Sequence, residues 1–283
     1  MLRKQVYTER AHARDVRRRV SRWYSGQGRD LPWRRTRDPY AVLVSEVMLQ
    51  QTQVSRVVPA YRAFLSRFPT VRALARASLG DVLRAWSGLG YNRRARDLHR
   101  AARSSRGRLP TSVDGLDALP GIGAYTAGAV ACFAHRRRVA FADTNVRRVL
   151  GRVFLGRVAT EREAVAIDRE LLPRDAARWH HALMDIGAVF CRARSPRCDD
   201  CPLAPACRGR GSRGDAARRH QSTFATSDRR IRGWIVALLA DRDAMTPRAL
   251  EDAIADERVP RIIAALERDG LVERRAGRIG LPR

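Results

Sequence analysis

The stretch Ala118-Leu-Pro-Gly-Ile-Gly-Ala-Tyr-Thr-Ala-Gly-Ala129 constrains this chain more than any other. Val113 to Leu119 has the spacing of a short amphipathic helix. Pro120-Gly-Ile-Gly123 breaks it, and Ala124 to Phe133, rich in small residues, reads as helix again. Gly121 and Gly123 flank a single apolar residue, Ile122. Glycine reaches positive φ without strain and has no side chain to block an approaching ligand. The free N–H groups that open the second helix face this turn, which suits a phosphate. Leu119, Gly121, Ile122 and Gly123 therefore form a candidate helix-hairpin-helix that grips a nucleic-acid backbone without reading bases. A plain αα-hairpin with a glycine turn is the competing reading.

An acid some twenty residues downstream weighs against the plain hairpin. Ala142-Asp-Thr-Asn-Val-Arg147 places Asp143 in a short non-helical approach to a helix that starts at Thr144 or Asn145. Asp143 fits the N-cap of that helix. A carboxylate near a phosphate-binding turn is otherwise costly, because phosphates repel it, and that cost points to a role.

The balance of charge agrees. The 283 residues suffice for two or three domains, and 56 basic against 29 acidic residues give a formal charge of +27. That implies a polyanionic partner, nucleic acid by default. The only lysine is Lys4. Arginine suits bidentate phosphate contacts, and a coding bias toward arginine accounts for much of the same excess. Either way, no lysine lies near the hairpin to form a Schiff base. No apolar run is long enough to span a membrane, and the charged N-terminal segment lacks the core of a secretory signal. The expectation is a cytoplasmic, nucleoid-associated monomer without a membrane partner.

Four of the five cysteines cluster as Cys191-x6-Cys198-x2-Cys201-x5-Cys207. In a reducing compartment such thiols are more often metal ligands than disulfides. With no histidine in the loop, the candidates are Zn²⁺ held by four cysteines or a [4Fe-4S] cluster. A single Cys-x-x-Cys with wider flanking gaps favours iron-sulfur. Cys132, in the small-residue helix, reads as a buried thiol.

Elsewhere every element up to the cysteine loop reads as helix. Asp38-Pro39 is a helix start, and Tyr40 to Phe64 reads as one apolar helix containing a lone carboxylate, Glu46. A glutamate there is either a solvated face residue or a desolvated acid whose pKa rises with burial. Gln50-Gln51-Thr52-Gln53 comes next, an uncharged hydrogen-bonding quartet fit to line a DNA surface. Gly88-Leu-Gly90-Tyr91 reads as a second tight turn with an aromatic at its exit. Asn92 to Ser104 is a basic helix, either a solvated face or a phosphate-facing edge beside a wedge residue. Residues 209–229 read as an Arg-, Ser- and Gly-rich linker. Residues 230–283 read as three helices and a strand pair in winged-helix order.

Leu31-Pro-Trp33, Ser45 to Val54, Gly88 to Tyr91, Leu119 to Gly123, Thr126-Ala-Gly128, Asp143 to Val146, Met184-Asp-Ile-Gly187 and the cysteine loop together resemble MutY-type adenine DNA glycosylases, relatives of endonuclease III. The resemblance covers about residues 15–208. It implies an all-α fold with two helical domains, 31–137 and 1–30 plus 138–208, flanking a DNA-binding cleft, with the small α+β unit appended. It implies that Cys191, Cys198, Cys201 and Cys207 hold a [4Fe-4S] cluster, and a monovalent cation at the hairpin. By resemblance Glu46 protonates adenine at N7 and assists water, and Asp143 stabilises the charge developing at the sugar. Tyr125 and Asn145 assist and orient these carboxylates, while Gln50, Gln51 and Tyr91 fill or wedge the duplex. The implied partner is double-stranded DNA carrying a mismatched or oxidised base pair, with adenine opposite 8-oxoguanine or guanine as target. Tyr125 stands where bifunctional relatives carry lysine, so a monofunctional enzyme is expected. Typical members append a Nudix-like domain that recognises 8-oxoguanine; this chain has the winged-helix-like unit instead, and the opposite-base preference stays open. The rival readings are a thymine or uracil mismatch glycosylase on the same scaffold and a non-catalytic iron-sulfur DNA-binding protein.

Overall fold

Caps and breakers in the sequence set where the helices begin. Asp38, Thr70, Ser78, Ser112, Asp143, Thr160, Asp175 and Thr246 each accept a backbone N–H in the first turn of the helix they precede. The computed structural model describes residues 2–212 and 223–283, with side chains from Glu9 onward. The expected linker at 209–229 lies, over residues 213–222, outside the described residues.

The helices in order are α1 (Leu2–Gln27), α2 (Pro39–Leu49), α3 (Val54–Arg67), α4 (Val71–Arg76), α5 (Leu79–Ala85), α6 (Arg93–Ser104), α7 (Val113–Asp117), α8 (Ala124–Phe133), α9 (Thr144–Leu155), α10 (Glu161–Leu171), α11 (Ala176–Val189), α12 (Asp228–Asp241), α13 (Pro247–Ile254) and α14 (Val259–Arg268). Among the described residues there are three short strands, β1 (Ala244–Met245), β2 (Glu273–Arg275) and β3 (Arg278–Gly280). Two compact units result, Met1–Arg37 with Gly128–His220 and Asp38–Ala127 with Gln221–Arg283.

In the first unit, Val16 and Val20 of α1 are buried, as are Val146, Val149, Leu150 and Val153 of α9 and Leu183 and Ile186 of α11. A buried carboxylate fixes the chain before α2. Asp185 accepts two hydrogen bonds from Arg34, at 2.7 and 2.8 Å, and the backbone N–H and side chain of Arg29. Desolvation pushes the Asp185 carboxyl up, but the hydrogen bond and charge of Arg34, with Arg29, outweigh it and hold it below its ordinary 3.8.

In the second unit α2 is apolar on every side and buried from Tyr40 to Met48, packing on α3 and α6. The expected single helix from Tyr40 to Phe64 is two helices. The chain breaks at Gln50–Gln53, where Gln51 takes the left-handed conformation at φ 57° and Arg94 of α6 captures the carbonyls of Val47, Met48 and Gln50. Apolar residues resume at Val54 beyond the polar quartet, and the pattern alone does not register a cap supplied from a distant helix.

The C-terminal elements keep the order expected of a winged helix, with one addition. β1 pairs antiparallel with β3, and β3 with β2, giving the sheet order β1-β3-β2. Two residues are too few for β1 to show an alternating pattern. These elements pack on α5 and α6 of the same unit. The Gly80 N–H donates to Pro282 O at 2.7 Å, and a Cβ on Gly80 would itself meet that oxygen at 2.7 Å. Asp269 receives Arg93 and Arg232 on its carboxylate and Arg96 on its carbonyl.

Candidate active site and nucleic-acid interface

Glu46 sits in the middle of α2 and is only 6% exposed. The hydroxyl of Tyr125, in the first turn of α8, donates to its Oε2 at 3.0 Å. Thr126, next along α8, lies 3.5 Å from the side-chain amide of Gln50. The hairpin helix thus brings Tyr125 to the acid and approaches Gln50, the residue that ends α2. Gln51 and Gln53 are exposed in the turn beyond it.

The hairpin divides its four residues between two tasks. Leu119 and Ile122 are buried. Gly121 takes φ 74°, and a Cβ there would meet Asp97 Cβ at 2.4 Å. Gly123 is different. It does not take the positive φ expected of both glycines, and a Cβ on it would meet nothing within 4 Å. Its openness leaves the N-terminus of α8 accessible to a phosphate.

The second turn is strongly curved. Gly88, Gly90 and Tyr91 have φ of 80°, 71° and 50°. Leu89 is buried and Tyr91 is 38% exposed. Arg56 donates to Gly88 O, Trp86 Nε1 to Gly90 O at 3.1 Å, and Arg94 to Gly90 O at 3.1 Å. The Arg94 guanidinium also lies 5.3 Å from the Tyr91 ring centroid and 5.5 Å from that of Trp86. Burial lowers the Arg94 pKa to about 10, so near neutrality it stays charged and donating. The basic run of α6 is therefore only partly a surface. Arg93, Arg94 and Arg96 are engaged by the protein, while Arg100 and Arg103 are exposed.

Asp143 is the N-cap of α9, as the sequence suggests, but only with one oxygen. Oδ1 accepts the Val146 N–H at 2.7 Å, and Oδ2 accepts Asn145 Nδ2 at 2.8 Å. Both oxygens are therefore committed as acceptors. Asn145 is itself held: its Oδ1 accepts Arg148 Nη2 at 2.7 Å. It also packs against Gly187, where a Cβ would meet Asn145 Cβ at 2.5 Å. Arg148 donates as well to Gly187 O and to Cys191 O. A continuous chain of hydrogen bonds so runs from Asp143 to the first cysteine of the loop. Sequence reasoning passes over Arg148; its one signal is an arginine in register on a helix that also carries Asn145. Upstream of Asp143, Phe141 N–H donates to Asp168, a buried carboxylate that also accepts Trp179 Nε1 and meets His180 Nε2.

Cys191, Cys198, Cys201 and Cys207 line one cavity with Val149, Val153 and Leu203. All four are free thiols. Arg152 donates to Cys191 Sγ at 3.4 Å and the Gly211 N–H to Cys198 Sγ at 3.4 Å. Burial pushes the Cys201 thiol up to about 11, with the neighbouring thiols adding to it. Among the described residues, no three His, Cys, Asp or Glu side chains converge where one metal ion would sit. The donor set, four thiols with two N–H donors to sulfur, fits an iron-sulfur cluster. Cys132 is buried, as expected.

Residues 44–174 match the family model of the HhH-GPD superfamily base excision DNA repair proteins. The adenine DNA glycosylase of Mycolicibacterium smegmatis is 45% identical over 275 residues, 92% of this chain and 93% of that protein. The human adenine DNA glycosylase is 38% identical over 66% of this chain and 38% of its own length. Among solved structures, a thermostable thymine-DNA glycosylase superposes with a TM-score of 0.67 at 26% identity, over 71% of this chain and 97% of that one. The mycobacterial match is too extensive to stop short of the C-terminal elements. Matching over this length, this chain belongs to the adenine DNA glycosylases of the HhH-GPD base excision repair superfamily.

Proposed function

We propose that this chain removes adenine from duplex DNA by hydrolysing its N-glycosidic bond, leaving the strand intact. The observation that carries the reading is Glu46, an acid buried on an apolar helix with Tyr125 as its hydrogen-bond partner. Breaking a purine glycosidic bond builds positive charge on the sugar while the leaving base needs a proton. One protonating acid and one ionised carboxylate are therefore the groups required. Glu46 delivers the proton to adenine N7 and then assists the attacking water. Tyr125 fixes the direction of the Glu46 carboxyl. Asp143, with both oxygens accepting hydrogen bonds, stabilises the sugar cation. Asn145 sets its orientation. No lysine stands where Tyr125 does, and no amine is present there to attack the sugar and cleave the strand.

The target base must leave the stack first. Tyr91 enters the gap, with Gln50 and Gln51 contacting the bases beside it, while the turn at Leu119–Gly123 holds a phosphate through backbone N–H groups, with a monovalent cation there. The four loop cysteines hold a [4Fe-4S] cluster. Bound there, the group ties four thiolates into one folded loop beside Arg148 and Arg152. The domain division expected at 31–137 and at 1–30 with 138–208 belongs to the same reading, as do a monomeric enzyme and a partner duplex with adenine opposite 8-oxoguanine or guanine.

Single-turnover cleavage on duplexes carrying A opposite 8-oxoguanine, A opposite G, T opposite G and U opposite G, with and without alkali, tests this. Breaks at adenine that need alkali are expected. Breaks confined to T or U would move the chain to the pyrimidine branch, a reading kept in view by the thymine-DNA glycosylase among its structural neighbours. Tight binding with no breaks would leave the non-catalytic reading.

A further inference from the structure

We infer that the C-terminal elements, residues 223–283, take part in base extrusion through Arg229, a positioning residue for Tyr91. This rests on the reading of Tyr91 as the wedge. The backbone of the turn that presents Tyr91 is held from the helical half of its unit, by Arg56, Trp86 and Arg94. These contacts fix the Cα of Tyr91 and one face of its ring. They leave the far end of the side chain, the hydroxyl, to another partner. That partner is Arg229, in the first turn of α12, whose Nη1 donates to the Tyr91 hydroxyl at 3.1 Å.

The reach is set by how α12 is docked. Arg232, one turn further along α12, shares the Asp269 carboxylate with Arg93, the first residue of α6. Arg93 lies two residues after Tyr91. Arg96 holds the Asp269 carbonyl from the same turn of α6. The Gly80–Pro282 backbone bond and Arg84 to Ala240 O, at 3.3 Å, add two further ties. The docking therefore converges on the helix that begins where the wedge ends, and Arg229 extends it to the wedge itself. An exposed aromatic fixed at both ends inserts into a duplex without first losing rotamer freedom, so its insertion is favoured.

The test is a double-mutant cycle on the full chain, Arg229→Ala, Tyr91→Phe and both, with Arg229→Lys as the conservative variant. Two readouts are taken on a duplex with mismatched adenine: the single-turnover excision rate, and fluorescence of a 2-aminopurine flanking that adenine, which brightens when its neighbour leaves the stack. Arg229→Ala and Tyr91→Phe should each slow excision and reduce the fluorescence rise by about five-fold. The double variant should be no worse than either, and Arg229→Lys, which keeps a donor, should recover most of the loss. Arg230→Ala, which removes an equal charge from the next position, should match wild type. Additive losses, or an Arg229→Ala variant equal to wild type, would overturn the inference while leaving adenine excision standing. A wild-type protein that neither excises adenine nor brightens the probe would sink both.

Discussion

In the proposed reaction two carboxylates with different surroundings divide the chemistry, and each predicts its own mutant. Glu46→Gln removes the proton donor but keeps the Tyr125 contact and the shape of the site. Its excision rate should fall by about 100- to 10,000-fold, with duplex affinity held, as measured by single-turnover kinetics and titration of a labelled duplex. Asp143→Asn should lower the rate by about 100-fold or more while DNA binding survives; undiminished excision would refute the assignment. Arg148→Ala acts one step further back. It leaves the Gly187 and Cys191 carbonyls and the Asn145 amide oxygen without that donor. A cost of roughly 1–3 kcal/mol in stability is expected, together with slower excision and a lower iron content, read by denaturant titration, kinetics and metal analysis.

At the scale of elements, the hairpin offers a test that separates folding from contact. Gly121→Ala puts a Cβ against Asp97 at positive φ and should cost about 1–3 kcal/mol in stability. Gly123→Ala meets open space, so the melting temperature should hold while duplex affinity falls. The same elements show what local patterns can and cannot tell. The caps at Asp38 and Asp143 and the curved turn at Gly88–Tyr91 are legible in the sequence, because the residues that decide them are neighbours in the chain; the burial of Glu46 is not, since the apolar run around it fits a solvated face as well. The break at Gln50–Gln53 is not, because Arg94 arrives from α6 to end α2. The docking at Asp269 is hidden for the same reason: Arg93 and Arg96 look like a solvated basic face until their distant acceptor is in place.

For the molecule as a whole, acid is the informative perturbation of the first unit. Asp185 has a folded-state pKa below its ordinary 3.8. A carboxyl lowered on folding stabilises the fold above its unfolded pKa and loses that contribution as pH falls through the folded value. Unfolding free energy should therefore decline below about pH 4. Asp185→Asn should flatten that decline and cost about 3–5 kcal/mol at neutral pH, because Arg34 is left buried without its anion. Duplex affinity should fall linearly with the logarithm of salt concentration, with a slope that counts phosphate contacts rather than the formal charge of +27. Many guanidiniums are committed inside the protein and contribute little to that count. Arg94 alone reaches the carbonyls of Val47, Met48, Gln50, Leu89 and Gly90 and the hydroxyl of Thr52. Such a planar fork has no lysine equivalent, since an ammonium offers three donors from a single point. Whatever enriched this chain in arginine, lysine cannot stand in at Arg94 or Arg148, where the fold depends on the whole guanidinium fork.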